Sequence, residues 1–184
     1  MVLRKLVSRA ARLRAFNLAL ALATLAGLCA FAPQKAEAGA RVNFPDSVQP
    51  GTIVISAHQR RLYLVNGDGT AISYPIAVPK RGKEWSGSTY VAAKHDHPDW
   101  SPPAAVRADH PGLPDVIPGG SPRNPMGARA IVLERNEVAI HGTTNKMRAS
   151  IGTAASYGCI RMRNEDVSDL YNRVSVGTPV IMEP

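Results

Sequence analysis

The sequence predicts a mainly β domain: an antiparallel, sandwich-like set of strands with a single helix in its C-terminal region. Three observations lead there. Short runs rich in Val, Ile, Leu and Tyr are separated by Gly, Asn and Asp turn signals from Thr52 onward. A stretch from Pro98 to Pro125 holds eight prolines in 28 residues, which excludes a central strand because proline lacks the ladder donor. Clear helical patterning after residue 38 is confined to one segment, Glu165 to Val174, behind Asn164 as candidate N-cap and with Glu165 and Asp166 in the first turn.

Residues 1–38 stand apart from the fold. Arg4, Lys5, Arg9, Arg12 and Arg14 make a basic start, Ala15 to Ala32 an apolar run, and Ala36-Glu37-Ala38 a small-x-small cleavage site. A secretory signal peptide is expected, with an uncleaved anchor as the rival. The run of 18 residues is rich in Ala and interrupted by Asn17 and Thr24, which is marginal for a bilayer span. No Arg-Arg pair occurs there, and Leu28 before Cys29 does not fit a lipoprotein site. Residues 39–50, aperiodic and with two prolines, are expected as an N-terminal linker, leaving a domain over 51–184.

Within that domain, Thr52–Ala57 and Arg61–Val65 predict a hairpin. Asn66-Gly67-Asp68-Gly69 then turns the chain into a third strand from about Thr70 to Val78. Lys80–Trp85 is a charged turn, and Gly87–Val91 begins another strand. The proline-dense stretch is too long for an ordinary connection, so an ordered loop walling a groove is expected. Ala130–Leu133 and Val138–Ile140 form a second hairpin that delivers His141 at a strand end. Thr143–Ala155 is small and polar, with one short helical turn around Ser150. Cys159–Met162 resumes an extended path, and Val180–Met182 closes the domain as a last strand.

Charge and cysteine content narrow the function. The whole chain carries 22 Lys and Arg against 14 Asp and Glu, a net +8. Six of the basic residues and one acidic residue precede Gly39, so cleavage leaves 16 against 13, or +3. No basic stripe with interleaved aromatics remains, which removes the case for nucleic acid. Cys29 departs with the leader, and Cys159 then stands alone in an oxidising compartment where cysteines normally pair. Ser156, Tyr157 and Gly158 before it and Arg161 after it are polar company for a packed thiol, which favours a nucleophile over a buried structural cysteine. His95, His97 and His110 suggest a metal, but no third ligand follows at a recognisable spacing, so neither metal nor cofactor is expected. His58 falls in a turn and is read as a surface residue.

A thiol attacks only as thiolate, and an ordinary cysteine has a pKa of about 8.5, so a base must assist it. His141, 18 positions upstream, is the candidate base for Cys159. Gly158 allows a sharp turn before the sulfur, from which the backbone N–H groups of Gly158 and Cys159 could face a substrate oxyanion.

At His141-Gly142 and Ser156-Tyr157-Gly158-Cys159-Ile160-Arg161 the sequence resembles the L,D-transpeptidases (YkuD-type domain) of bacterial cell walls. Asn124-Pro125-Met126-Gly127 followed by Arg129–Leu133, and the opening meander, extend the likeness over most of residues 50–182. The resemblance implies a peptidoglycan stem tetrapeptide as acyl donor, D-alanine as leaving group and a diaminopimelate amine as acceptor, giving 3→3 cross-links. Water or a protein amine as acceptor would instead give carboxypeptidase action or attachment of an outer-membrane protein to the wall. Cys159 would be nucleophile, His141 proton donor and acceptor, Gly158 an oxyanion donor, and Gly142, Ser156, Tyr157 and Arg161 substrate-binding residues. Tyr157 departs from the second histidine common at its position. Arg161 either clamps a stem carboxylate or pairs with Glu165 or Asp166. A papain-like endopeptidase fits less well because its cysteine precedes its histidine, and a wall-binding module with a vestigial Cys159 is the non-enzymatic reading. A monomer in the periplasm or cell envelope is expected.

Overall fold

The structure, a computed structural model, describes residues 38–184. The leader expectation falls, apart from Ala38, outside the described residues. Eleven strands are present: β1 (Ala40–Asn43), β2 (Ile53–Ser56), β3 (Arg61–Val65), β4 (Thr70–Pro75), β5 (Val78–Pro79), β6 (Gly87–Asp96), β7 (Arg129–Leu133), β8 (Ala139–His141), β9 (Ala154–Ser156), β10 (Ile160–Arg161) and β11 (Pro179–Glu183). Helix α1 spans Ala104–Asp109, helix α2 spans Asn164–Arg173, and Met147–Ser150 forms a 3-10 turn. Nine strands join in the order β1-β4-β3-β2-β11-β6-β7-β8-β10, and β5 pairs β9 in a small separate ladder.

Strand β6 is the joint of this sheet. Its first residues pair with β11, and Val91 to Asp96 pair with β7, with a register shift between Val91 and Ala93. A bulge bends a strand and increases local twist, so one ten-residue strand serves two halves. Ile53, Ile55, Leu62 and Tyr74 from one half share a core with Ile131, Leu133, Ile140 and Ile160 from the other. Helix α2 adds Val167 and Leu170 to that core. The class is therefore mainly β and sandwich-like, as expected.

Several local expectations are corrected. The sheet is not purely antiparallel: β2 with β11 and β8 with β10 run parallel. All four residues of β2 are buried, which is the continuous apolar pattern of a strand covered on both faces. Part of the expected linker, Ala40–Asn43, pairs along β4 as an edge strand. Aperiodicity hid it because an edge strand needs ladder bonds rather than a buried face. The proline-dense stretch contains a helix after all: α1 begins immediately after Pro102-Pro103 and buries no residue, since proline is tolerated at a helix start. Helix α2 has Arg163, not Asn164, at its N-cap position. Among the described residues no helix is long and apolar enough to cross a membrane.

Candidate active site

Strands β8 and β10 place the chemistry. Their parallel register sets Ile160 opposite Ile140 and Arg161 opposite His141. Ile140 and Ile160 are fully buried in the core. Side chains alternate across a sheet, so His141, Arg161 and Cys159, two residues before Arg161, all lie on the opposite face. His141, Cys159, Arg161, Ser156 and Tyr157 line one cleft, walled by Trp100, Val106 and Pro125 from the proline-dense segment.

His141 is 4% exposed. Its Nδ1 lies 2.8 Å from the carbonyl oxygen of Gly142. A carbonyl only accepts, so Nδ1 carries the proton and Nε2 keeps a lone pair. Burial first, and then the nearby Arg161 guanidinium, push the imidazole pKa down to about 4, against the opposing pull of the Gly142 and Pro125 carbonyls. The free imidazole is therefore neutral at neutral pH.

Cys159 is half-buried and is the free cysteine among the described residues. Its Sγ bonds to the Glu137 carbonyl at 3.5 Å. Glu137 turns there with a φ of 55°. Burial raises the thiol pKa above its ordinary value; the Ala139 backbone N–H and Arg161 pull it down, and Glu137 pushes it up. Sulfur and imidazole thus face the same cleft as a neutral thiol and a neutral base, with no hydrogen bond between them.

Gly158 has a φ of +134°, in the region L side chains rarely adopt. Its N–H leans toward the Ser156 hydroxyl at 3.3 Å, and its carbonyl accepts from the buried Trp85 Nε1 at 2.9 Å. The Ser156 hydroxyl in turn donates to the Cys159 carbonyl. Ser156, 1% exposed, therefore braces the turn, and its hydroxyl is not offered to the cleft. The Cys159 N–H has no hydrogen-bond partner among the described residues, whereas the Gly158 N–H leans on Ser156. Trp85 escaped the sequence reading, although a buried indole N–H must find a partner somewhere. Arg135 covers its ring at 4.8 Å.

Arg161 makes no ion pair among the described residues. Glu165 pairs with Arg148 instead, and Asp166 Oδ2 is buried without a described partner. Tyr157 reaches outward: its hydroxyl donates to Asp109 at the end of α1, and Lys80 sits over its ring at 3.6 Å while binding Asp109 at 3.3 Å. These three side chains tie the helix of the proline-dense wall to the residue two before the thiol. Gly142 contributes through its carbonyl and through the space it leaves: a Cβ there would meet Asn164 Oδ1 at 2.1 Å. Among the described residues no three metal-ligating side chains converge. His97 is held by Asp96 and Arg129.

Comparison with known proteins bears on the family of this domain. The family model for the L,D-transpeptidase catalytic domain (YkuD) matches residues 50–182. The probable L,D-transpeptidase YbiS of Escherichia coli K12 is 39% identical over 142 residues, covering 74% of this chain and 45% of that protein. The chain thus spans about half the length of the curated relatives it matches. A structure from Brucella melitensis, named a probable carnitine operon oxidoreductase caia, is 41% identical, with a TM-score of 0.52 over 76% of this chain and 89% of that one. An L,D-transpeptidase from Mycobacterium smegmatis shares the fold at 18% identity, with a TM-score of 0.57 over 72% of this chain and 58% of that one. On the family match and the 39% identity together, the chain belongs to the YkuD family of L,D-transpeptidase catalytic domains.

Proposed function

We propose that the protein is a cysteine-dependent acyltransferase that remodels peptidoglycan stem peptides. The observation that carries this reading is the cleft itself: one thiol and one imidazole, the latter with Nδ1 tied to Gly142, open onto a shared groove. His141 Nε2 takes the proton of the Cys159 thiol as the sulfur attacks the stem carbonyl. At rest the proton sits on sulfur, and its transfer to His141 Nε2 generates the thiolate that attacks. The Cys159 N–H, with the Gly158 N–H once it leaves Ser156, faces the developing oxyanion; losing such a donor typically costs about 10²–10³ in rate.

Collapse breaks the carbon–nitrogen bond, and the imidazolium returns its proton to the departing D-alanine amine. A thioester remains on Cys159. An acceptor amine then loses a proton to His141, attacks the thioester and releases the thiol. A diaminopimelate side chain as acceptor gives a 3→3 cross-link, water gives a trimmed tripeptide, and a protein amine gives attachment to the wall. Arg161, cationic and without an acidic partner among the described residues, suits the terminal carboxylate of a stem better than a structural ion pair, since guanidinium and carboxylate match bidentately. The protein would work as a monomer in the periplasm or cell envelope after loss of residues 1–38.

Two measurements test this. Incubation with a carbapenem should add one thioester-linked mass on Cys159, and Cys159→Ala should take none; an adduct on the alanine variant would overturn the assignment. Mass spectrometry of muropeptides treated with the protein should reveal cross-linked dimers. Tripeptides alone would assign water as the acceptor.

A further inference from the structure

Asn164 was expected to cap α2, yet its side chain is turned away from the helix and into the loop that follows His141. Oδ1 accepts from the Thr143 N–H at 3.0 Å and the Ala128 N–H at 3.1 Å, and Nδ2 donates to the Thr143 carbonyl at 2.9 Å. Two glycines make room for it. A Cβ at Gly127 would meet Asn164 Oδ1 at 2.2 Å, and one at Gly142 would meet it at 2.1 Å.

The Thr143 N–H and the Gly142 C=O belong to one peptide unit. In a trans peptide these two groups point in opposite directions across a rigid plane. Asn164 holds the N–H end of that plane, and His141 Nδ1 bonds to the C=O end at 2.8 Å. The Gly142 N–H is tied separately to the Arg129 carbonyl at 3.1 Å. With the plane anchored on one side, the carbonyl can only face the imidazole.

We propose that Asn164 is a positioning residue for acyl transfer: by fixing the Gly142–Thr143 peptide plane it holds His141 in the Nδ1-protonated tautomer with Nε2 free to take the thiol proton. This rests on the reading of Cys159 and His141 as nucleophile and base. Asn164 does not line the cleft that holds Cys159. Its effect travels through a single peptide, and glycine at 142 is required at the close approach. A carbonyl free to swing away would let the ring rotate or take the other tautomer, whose Nε2–H cannot accept a proton. A misplacement of about 1 Å at a reacting centre costs on the order of 10²-fold.

The test uses ¹⁵N-histidine NMR and carbapenem acylation on the same samples. Wild-type protein should show His141 protonated at Nδ1 with Nε2 bare, and a slowly exchanging Thr143 amide. Asn164→Asp keeps both acceptor bonds and should retain the tautomer, with acylation within about tenfold of wild type. Asn164→Leu, folded by circular dichroism, should lose the tautomer and acylate roughly 100-fold more slowly with an altered pH profile. A folded Asn164→Leu protein with wild-type tautomer and rate overturns the proposal. If that variant does not fold, the wild type decides: a Thr143 amide exchanging as freely as an exposed one, or a His141 protonated at Nε2, overturns it equally. Failure of the wild type to acylate at all would instead sink the underlying reading of Cys159, so the two failures are distinct.

Discussion

Arg161 and His141 stand opposite one another in the parallel register of β10 and β8, and the guanidinium is the charged group that helps burial keep the imidazole neutral. Two functions meet in that pairing. The cation depresses its neighbour's basicity, and it also offers the cleft a fixed positive charge.

Replacing that cation separates the two. Arg161→Met should lower kcat/KM for a stem tetrapeptide by roughly 10- to 100-fold, the worth of a charge-assisted hydrogen bond of about 1.5–3 kcal/mol. The same change should raise the His141 pKa, moving the acid limb of the rate profile upward from about 4. Acylation by an uncharged reagent at pH 8 should fall less than the tetrapeptide rate, since only the lowering of the Cys159 pKa by Arg161 is then lost. Equal loss with charged and neutral acyl donors would remove carboxylate binding from the role of Arg161.

The resting thiol should behave as a thiol. Burial raises the Cys159 pKa above its ordinary value and His141 is neutral beside it, so a preformed thiolate–imidazolium pair is disfavoured. Alkylation by iodoacetamide, followed by mass, should climb with pH beyond the normal cysteine range. A reactive plateau between pH 5 and 7 is the outcome that contradicts this.

Stability should depend on pH through His141. Its folded pKa of about 4 lies below the unfolded value of 6.5, so between those values the unfolded chain binds a proton that the native state refuses. Stability is therefore full above pH 6.5, declines as pH falls, and levels below about 4, for a total loss of roughly 3 kcal/mol. Urea melts of wild type and His141→Gln at pH 7 and pH 4.5 measure this. The glutamine variant should lose less stability on acidification, and identical losses would remove His141 from the account.

The Lys80–Tyr157–Asp109 contact should control how firmly α1 covers the cleft. The helix buries no residue of its own, and exposed ion pairs are weak and screened by salt. Asp109→Asn should speed hydrogen exchange and proteolysis around residues 104–115 while leaving the melting temperature nearly unchanged, and raised salt should act in the same direction on wild type. Unaltered exchange in α1 would mean that Trp100 and Ile117, which bridge across the segment, hold the wall without help.

Much of the fold was legible from local chemistry. Turn residues at Asn66–Gly69, alternating or continuous apolar runs and the acidic start of α2 each act within a few residues, so they print in the sequence. Strand β1 left no such trace, because Ala40–Asn43 carries an exposed face and is held by its ladder to β4. Helix α1 was masked by the prolines around it.

The sequence by itself determined which groups could do chemistry: one cysteine beyond residue 38, a histidine ending a strand, a glycine before the sulfur. Tertiary structure alone decided what each group is. The register of β8 and β10 put His141, Arg161 and the cleft on one face. Burial set the imidazole and thiol neutral, and the supports of the site came from Trp85, the Glu137 carbonyl and the Asn164 amide. Those supports join residues 21 to 73 positions apart, by backbone groups in most cases. A backbone carbonyl or N–H has no letter of its own, so contacts made through it arise only when the chain closes on itself.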